Sequence, residues 1–422
     1  MTVNWKALAA TLLSAGLGFV LWVRGIAPAV SRVDTDFPNY LTAARIVADA
    51  GPAARLYDNA WFQEQMRSYR IGNPQEGKFA PFPPPTALLL VPLARLQPLD
   101  ALRVMTGISL LSLVCSIILL SRILRWRAAE AAAFVLLSGY AVHNALRFGQ
   151  PYIVVSTSCI LGYFAYRKGR PLLAGVCFGL FVPIKYFPIV ILLYFLFRRE
   201  WKLVLGGAAA ATAVVLVSIG VLGWQVHQQF LTSVLGSHLT EHLCMQDPFS
   251  ASFQSFDSLF RRLFVFDAAA NPHPWLALSW LRGIAVAVTK IAILAVAVVS
   301  LVELARDEGP QSVPPSIGLL GILVLLLAPA TATYHFVLLW LPVGLLLGWL
   351  QHARARARGA LLLGLYSLIG FLPYGHLSGF EGRGGLSVLA YPRLLLLLAM
   401  FSACVYFIWN RPESTRQAAT HP

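Results

Sequence analysis

The stretch "IAILAVAVVSLV", residues 291 to 302, contains no charged side chain and a single polar residue, Ser300. A helix that crosses the hydrocarbon core of a bilayer needs about 20 predominantly apolar residues. Similar runs recur along the 422 residues, which are 58% hydrophobic and only 12% charged, with a mean hydropathy of +0.68. A soluble protein of this length needs more polar surface. The sequence therefore predicts an all-α polytopic membrane protein.

The net charge of +15 lies mostly in short basic clusters that flank the apolar runs. Such clusters mark the cytoplasmic ends of membrane helices. A nucleic-acid groove would instead interleave basic and aromatic residues, so no nucleic-acid partner is expected. The run from about 7 to 23 follows Lys6 and lacks a convincing cleavage site, so it is interpreted as an uncleaved first span, with a signal peptide as the alternative. The clusters are Arg122 to Arg127, Arg167 to Arg170, Arg198 to Lys202, Arg354 to Arg358, and Arg411 with Arg416.

Alternation of the apolar runs between these clusters predicts a bundle of roughly 10 to 13 transmembrane helices, most simply about 12, with both termini in the cytoplasm. Residues 1–422 are expected to form a single integral membrane domain. The predicted spans lie near 7–23, 101–121, 129–145, 150–166, 171–185, 186–197, 203–222, 276–300, 316–330, 334–350, 359–372 and 391–409.

Three longer polar segments are predicted on the extracytoplasmic side, at about 24–100, 223–275 and 373–390. The cytoplasmic loops are all short, and irregular polar segments are where binding chemistry concentrates. Function is therefore expected on the extracytoplasmic face. Within the first of these loops, the apolar stretch 86–96 is too short to span and is interpreted as a re-entrant or interfacial helix.

Two carboxylates stand one residue apart near the start of the first loop, Asp34 and Asp36. An amphipathic helix is predicted after them, beginning near Tyr40 and ended by Gly51. The pair can serve simply as a loop turn or as a cap for this helix. It can also be a functional site on a loop that is ordered near the membrane.

The chain resembles glycosyltransferase family 87, whose members are membrane enzymes of the GT-C class that use polyprenyl-phosphate sugars. The resemblance covers most of the chain up to about residue 350 and depends on the order of several short motifs. These motifs are Asp36-Phe37, Tyr40, Ala43-Ala44, Gly51, Leu56-Tyr57-Asp58, Phe82-Pro83-Pro84, Leu88, Pro92-Leu93, Arg147-Phe148-Gly149-Gln150, Lys185 before Tyr186 and Pro188, "FQSFDSLFRR" (253–262) and "LAPATATYHFVLLWLP" (327–342).

The resemblance implies an inverting transfer in which a carboxylate of the first extracytoplasmic loop takes the proton of the acceptor hydroxyl. Asp36 is the residue that matches the family's Asp-Phe pair, so it is expected to be the catalytic base. Asp34 is expected to be a supporting or acceptor-binding carboxylate. Two carboxylates alone do not define a metal site. No cofactor is therefore predicted, although a divalent cation that assists the leaving phosphate stays possible.

The anionic leaving group of such a reaction needs cations, and arginine can clamp phosphate oxygens with two hydrogen bonds. For arginines and lysines near a membrane edge, snorkelling to the lipid headgroups is the alternative. The candidates for the donor phosphate are Arg261, Arg262, Lys185, His335 and Arg147. The candidates for contact with the sugar or acceptor are Tyr40, Gln150 and Gln254.

The segment "SHLTEHLCMQD", residues 237 to 247, spaces His238 and His242 four residues apart, as a helical zinc site would. A second pair of ligands is not evident in the sequence, so no metal site is predicted here.

The favoured function is transfer of a sugar, most simply mannose, from a polyprenyl phosphate to a glycolipid or glycan acceptor, in a bacterial inner or plasma membrane. The alternative is a secondary transporter or lipid flippase, which would also explain charged residues inside apolar runs, such as Lys185 and Lys290. A lipid polymerase or ligase would share the donor but would place its critical residues in a late loop. The early pair of aspartates favours the transferase.

Overall fold

The computed structural model describes residues 5–34, 36–239, 247–306, 309–372, 375 and 377–411. Over these ranges the chain forms α-helices and short helical turns without a β-strand. The predicted all-α class is therefore confirmed. The chain folds as two compact units, of which the first comprises Met1–Leu136 and Val142–Gln246 and the second Leu137–Ala141 and Asp247–Pro422.

The first unit contains most of the helices. One of them, α7, begins in the short segment Leu137–Ala141 of the second unit and continues into the first unit. The helices are α1 (Trp5–Leu21), α2 (Ala27–Ser31), α3 (Phe37–Ala48), α4 (Asn59–Ser68), α5 (Pro98–Leu124), α6 (Ala128–Leu136), α7 (Tyr140–Arg147), α8 (Tyr152–Arg167), α9 (Pro171–Gly179), α10 (Ile189–Phe197), α11 (Trp201–Leu222), α12 (Trp224–Gln229) and α13 (Leu235–Leu239).

The second unit consists of fewer and mostly longer helices. They are α14 (Phe256–Phe264), α15 (Ser279–Ala305), α16 (Val313–Leu327), α17 (Trp340–His352), α18 (Arg356–Phe371) and α19 (Pro392–Trp409). Its core includes a buried polar contact, in which the indole Nε1 of Trp340 donates to Ser138 Oγ at 3.2 Å.

Seven helical segments of the described chain are long and apolar enough to cross a membrane, so the protein is an integral membrane protein. A helix needs about 20 apolar residues for this purpose. The segments are Ala7–Ser31, Pro98–Leu124, Trp201–Leu222, Ser279–Ala305, Pro310–Leu327, Thr333–His352 and Pro392–Trp409.

The other predicted spans correspond to shorter helices. The run 129–145 is divided into α6 and α7 by a turn in which Gly139 has a φ of +51°. The runs 171–185 and 186–197 become α9 and α10, each of 9 residues, and prolines at 183 and 188 lie in the turn between them. Proline lacks the N–H group that a helix interior requires. A helix of 9 residues is about 14 Å long, roughly half of the hydrocarbon core. The total number of spans therefore stays a prediction.

The segment 32–97, within the predicted first loop, folds into a compact layer around α3. Phe37 and Leu41 of this helix are completely buried, and seven further α3 residues are buried with them. The proline-rich stretch after residue 80 forms two short turns, Pro84–Leu88 and Val91–Leu93, which pack on α3. Helix α3 is thus buried against these turns, α4 and α5, whereas the amphipathic pattern predicted one open face.

The end of α3 shows how the chain turns without the glycine that the sequence indicated. Ala50, at φ +53°, takes the left-handed position, and the N–H of Gly51 donates to Ile46 O at 2.8 Å. This is the hydrogen-bond pattern of a helix that ends in a left-handed residue. The stop therefore falls one residue earlier than predicted.

Glycines bring α9 and α11 into close contact within the first unit. A Cβ on Gly175 would lie only 1.9 Å from Leu203 O, and one on Gly179 would lie 2.1 Å from Gly207 O. Such approaches are open only to residues without a side chain. The packing fixes α9, whose C-terminal end leads into the turn that carries Lys185.

Candidate functional site

The site of the first unit is built where the corner between α7 and α8 meets the start of α3. Helix α7 ends in the motif Arg147-Phe148-Gly149-Gln150, and Gly149 has a φ of +59°. The N–H of Gln150 donates to Ala145 O at 2.8 Å, which closes the end of the helix. A Cβ on Gly149 would lie 2.4 Å from Phe37 Cδ2, so this position must be glycine for the corner to pack against α3.

Asp34 is held by arginine. Its Oδ2 accepts a hydrogen bond from Nε of Arg147, and Nε of Arg32 lies 3.5 Å from the same oxygen. The Asp34 side chain is only 18% exposed, whereas that of Arg147 is 36% exposed. Asp34 therefore fixes one edge of a guanidinium group that still reaches solvent.

Asp36 stands at the residue before α3, yet its side chain makes no capping hydrogen bond to that helix. Its Oδ2 instead accepts from Nε2 of Gln150 at 2.7 Å. The helix-cap interpretation therefore does not describe this carboxylate. The motif that ends α7 thus contacts both aspartates, Arg147 at Asp34 and Gln150 at Asp36.

A buried chain of hydrogen bonds continues from Gln150. The hydroxyl of Tyr40 donates to Gln150 Oε1 at 2.8 Å, and Nζ of Lys185 donates to the Tyr40 hydroxyl at 3.1 Å. Gln150 is 0% exposed, Tyr40 2% and Lys185 6%. These three residues come from α3, the α7–α8 corner and the turn between α9 and α10, and the fold brings them together beside Asp36.

Aromatic rings enclose the Lys185 ammonium group. Nζ lies 4.7 Å from the ring centroid of Phe82, 4.9 Å from that of Tyr152 and 5.5 Å from that of Tyr40. Tyr40 stacks on Phe82 at a centroid distance of 4.6 Å, and the carbonyl of Phe82 accepts from the hydroxyl of Tyr57 at 2.7 Å. Attraction between a cation and ring faces stabilises a buried ammonium.

Tyr40 keeps its proton under ordinary conditions. Burial, together with the negative charge of Asp36, raises the pKa of Tyr40 well above its usual range, although the hydrogen bond to Gln150 opposes this shift. The neutral hydroxyl therefore acts as a donor to Gln150 and as an acceptor from Lys185.

In the second unit, Gln254 is entirely buried and is engaged by the backbone. Its Nε2 donates to Ala251 O at 2.7 Å and to Ala390 O at 3.1 Å, and its Oε1 accepts from the N–H of Arg393 at 2.9 Å. Contact of Gln254 with the sugar or acceptor stays a prediction, and these hydrogen bonds favour a structural role.

The arginine pair on α14 is buried, each side chain being 8% exposed. Arg262 donates from Nε to Phe249 O at 2.6 Å, from Nη1 to Ala270 O at 2.6 Å, and from Nη2 to Glu381 at 2.8 Å. Arg261 lies 5.6 Å from the ring centroid of Phe249. Phosphate binding by either arginine stays a prediction, and the contacts of Arg262 favour a role in holding the adjoining loops.

His335 is 8% exposed and lies in the short helical segment Thr333–Leu339. Its Nδ1 accepts from the N–H of Ala332 at 3.1 Å. A neutral imidazole that accepts at Nδ1 carries its proton on Nε2, from which it can donate. Its predicted role at the donor phosphate remains a prediction for this second-unit residue.

The partners of three charged residues, Lys290, Asp257 and Arg393, are not indicated by the sequence. Lys290 on α15 forms an ion pair with Asp257 on α14, with a separation of 2.6 Å. Arg393 is 2% exposed, and its guanidinium donates to Thr333 Oγ1 at 2.8 Å. Asp257 and Arg393 each lie within an apolar stretch of the sequence, and a charged residue in such surroundings indicates a buried partner or a functional role.

For metal binding, the described ranges contain no group of three or more His, Cys, Asp or Glu residues that could hold an ion. Of the zinc candidates, His242 and the side chain of His238 lie outside these ranges. The prediction that the protein uses no cofactor remains untested.

The long apolar helices define a polytopic membrane protein, and a buried polar network contacts the pair of aspartates that lies between its first two candidate spans. Comparison with protein families then gives a match to glycosyltransferase family 87 over residues 79–329. The chain belongs to this family. The matched region contains Arg147, Gln150 and Lys185 but begins after the two aspartates.

The chain is also similar to a curated protein of Mycolicibacterium smegmatis, a polyprenol-phosphate-mannose-dependent α-(1-2)-phosphatidylinositol pentamannoside mannosyltransferase. The two are 27% identical over 290 residues, which cover 67% of this chain and 64% of the relative's length. No solved structure matches the chain.

Proposed function

We propose that this protein transfers a sugar, most simply mannose, from a polyprenyl phosphate to a glycolipid or glycan acceptor, with inversion at the anomeric carbon. Membership of glycosyltransferase family 87 supports the reaction class. The name of the similar mycobacterial protein, which uses polyprenol-phosphate-mannose and acts on a phosphatidylinositol mannoside, supports both the sugar and a glycolipid acceptor.

The observation that carries the proposal is the environment of Asp36. Its carboxylate lies at the start of α3, makes no capping hydrogen bond to that helix and accepts from the amide of Gln150. In the proposed reaction this carboxylate takes the proton of the acceptor hydroxyl while the hydroxyl oxygen forms a bond to the anomeric carbon. The bond between that carbon and the phosphate oxygen breaks on the opposite face, and the polyprenyl phosphate leaves.

Arg147 is the cation of the first unit best suited to the leaving phosphate. Asp34 binds its Nε, and the side chain remains partly exposed, so its Nη groups can turn toward an anion. A guanidinium held on one edge is preorganised to bind phosphate oxygens through the other. Asp34 then acts as the supporting carboxylate. His335 and Arg261 of the second unit remain further candidates for the same phosphate.

The active site is proposed to face the extracytoplasmic side of a bacterial inner or plasma membrane. Asp34, Asp36 and Tyr40 lie between the candidate spans Ala7–Ser31 and Pro98–Leu124. Basic clusters near the far ends of the apolar runs support the assignment of this connection to the outer face.

The contacts of Lys185 and Lys290, the two lysines that suggested a transporter, favour the transferase instead. Lys185 is enclosed by aromatic rings and donates to Tyr40, and Lys290 is paired with Asp257. Charged groups along a transport pathway must change partners as the ion or substrate passes. Both lysines instead have partners that belong to the packed interior of their units.

The test is an assay of the purified full-length protein in detergent with radiolabelled polyprenyl-phosphate mannose and a phosphatidylinositol mannoside acceptor. We expect transfer of label to the acceptor, competed by unlabelled polyprenyl-phosphate mannose and not by a nucleotide sugar. Parallel reactions with polyprenyl-phosphate glucose and polyprenyl-phosphate arabinofuranose compare the sugars. Transfer from one of these but not from mannose would contradict the assigned sugar, and absence of transfer from all three would contradict the function.

A further inference from the structure

The hydrogen bonds that lead from Lys185 through Tyr40 and Gln150 to Asp36 run in one direction. Burial lowers the pKa of Lys185 to about 7, although the negative charge of Asp36 opposes this shift. In its ammonium form Lys185 can only donate, so the hydroxyl oxygen of Tyr40 accepts from it. The single hydroxyl proton of Tyr40 is then directed to Gln150 Oε1, which leaves the amide N–H groups of Gln150 facing Asp36. Reversal of the amide would bring its N–H groups toward the Tyr40 proton and its oxygen toward the carboxylate.

We propose that Lys185, Tyr40 and Gln150 form a positioning relay that orients the carboxylate of Asp36, and that Lys185 acts through Tyr40 instead of binding the donor phosphate. This inference rests on the proposed role of Asp36 as the base. The three members are positioning residues, because each acts on the reacting hydroxyl only through the next one.

The enclosure of Lys185 supports this role over direct phosphate binding. The side chain is 6% exposed, and the rings of Phe82, Tyr152 and Tyr40 lie within 5.5 Å of its ammonium nitrogen. An anion would have to displace one of these rings to reach the ammonium group. The same rings hold the nitrogen over the Tyr40 hydroxyl.

The relay also explains why a buried amide stands at position 150. A glutamine that is fully enclosed needs partners for both ends of its amide group, and here Tyr40 and Asp36 provide them. Because the orientation of the amide is fixed in this way, Oδ2 of Asp36 stays at a defined place beside α3. A base must lie within hydrogen-bond reach of the proton that it abstracts, so a small displacement lowers the rate.

The inference is tested with Tyr40→Phe, Lys185→Met and the double variant, measured for kcat and for donor KM. Tyr40→Phe retains the ring that stacks on Phe82 and removes only the hydroxyl. Tyr69→Phe is the matched control, because it removes a tyrosine hydroxyl of the same loop that donates to Asp49 at a more exposed place and takes no part in the relay. Each variant is first checked for monodisperse elution and for its melting temperature in detergent.

We expect Tyr40→Phe and Lys185→Met each to lower kcat by about 10- to 100-fold, the scale of losing one buried hydrogen-bond partner. The donor KM should stay within about twofold of the unaltered protein, since neither residue contacts the donor in this account. The double variant should be no slower than the slower single variant, because residues that act in series are not additive. Tyr69→Phe should keep the original kcat.

A raised donor KM in Lys185→Met, with an effect that multiplies that of Tyr40→Phe, would overturn the relay and assign Lys185 to the phosphate. Tyr40→Phe with unaltered kcat would also overturn it, even if Lys185→Met proves unstable. Asp36→Asn in the same assay distinguishes failure of the relay from failure of the proposed role of Asp36 as the base. If Asp36→Asn is inactive and Tyr40→Phe is normal, only the relay fails; an active Asp36→Asn overturns the base and the relay with it.

Discussion

At the scale of single residues, the two aspartates of the first loop differ in their partners. Asp34 contacts two arginines through one oxygen, whereas Asp36 receives a neutral amide. A carboxylate that already holds guanidinium groups is suited to positioning those cations. The carboxylate of Asp36 is oriented by an amide, which holds a group that must accept a proton from a substrate in a defined position.

The role of Arg147 is tested by Arg147→Gln and Arg147→Lys. We expect Arg147→Gln to raise the donor KM by about 10- to 100-fold, because a hydrogen bond to a charged group contributes about 1.5 to 3 kcal/mol. Lysine keeps the charge but lacks the Nε contact with Asp34, so it should restore only part of the affinity.

The matched control for these variants is Arg67→Gln, an exposed arginine of α4 in the same loop. It should leave donor KM unchanged. An unaltered donor KM in Arg147→Gln would show that Arg147 serves only to hold Asp34.

The residues of the candidate site could be selected from the sequence, but their partners could not. Asp36, Lys185 and Gln150 stand out as polar groups in apolar or motif surroundings. The hydrogen bond between Gln150 and Asp36 joins positions 114 residues apart, and that between Lys185 and Tyr40 joins positions 145 residues apart. Such contacts depend on tertiary packing of three separate segments, and no local spacing in the sequence indicates them.

At the scale of elements, hydrophobic runs predicted the long helices well and the short ones poorly. Helices α5, α11, α15 and α19 lie where uninterrupted apolar runs were found. The run 129–145 is also apolar, but the left-handed turn at Gly139 divides it. Hydropathy averages over a window and does not detect a single residue that changes the direction of the backbone.

The enclosed first loop was the least predictable element. The amphipathic pattern of α3 indicates a helix with one buried face, yet nine of its 12 residues are buried, and the turns from residues 84 to 93 pack on it. Prolines occupy the first positions of both turns, where the missing N–H group costs no helical hydrogen bond. Their docking on α3 follows from three-dimensional packing that residue spacing does not reveal.

At the scale of the whole molecule, the chain is an integral membrane protein in which the carboxylate site belongs to the first unit. Gln254, Arg261, Arg262 and His335 belong to the second unit. The family match extends over parts of both units, from residue 79 to residue 329. Under the proposed function, the membrane orientation determines which lipid-linked substrates can reach the carboxylates, so the function depends on the sidedness of the first loop.

Sidedness is tested by single cysteines introduced into a variant that lacks the five native cysteines. Ser68→Cys, at an exposed position of the first loop, should react with an impermeant thiol reagent in intact cells. Ala355→Cys, in the basic turn before α18, should react only after the membrane is opened. The reverse labelling pattern would place the aspartates in the cytoplasm and contradict an extracytoplasmic active site.

The central claim, that Asp36 is the base, is tested most directly by the turnover of Asp36→Asn compared with Asp34→Asn and Asp100→Asn. Asparagine keeps the shape and can still accept from Gln150 but cannot take up a proton, so kcat should fall by about 100- to 10,000-fold. Asp34→Asn should cost less, and Asp100→Asn, which alters an exposed pair with Arg103, should leave kcat unchanged. Near-normal turnover of a folded Asp36→Asn protein would contradict the assignment of Asp36 as the base. If Asp34→Asn then loses turnover, the roles of the two aspartates are exchanged; if Asp34→Asn is also active, neither aspartate is the base.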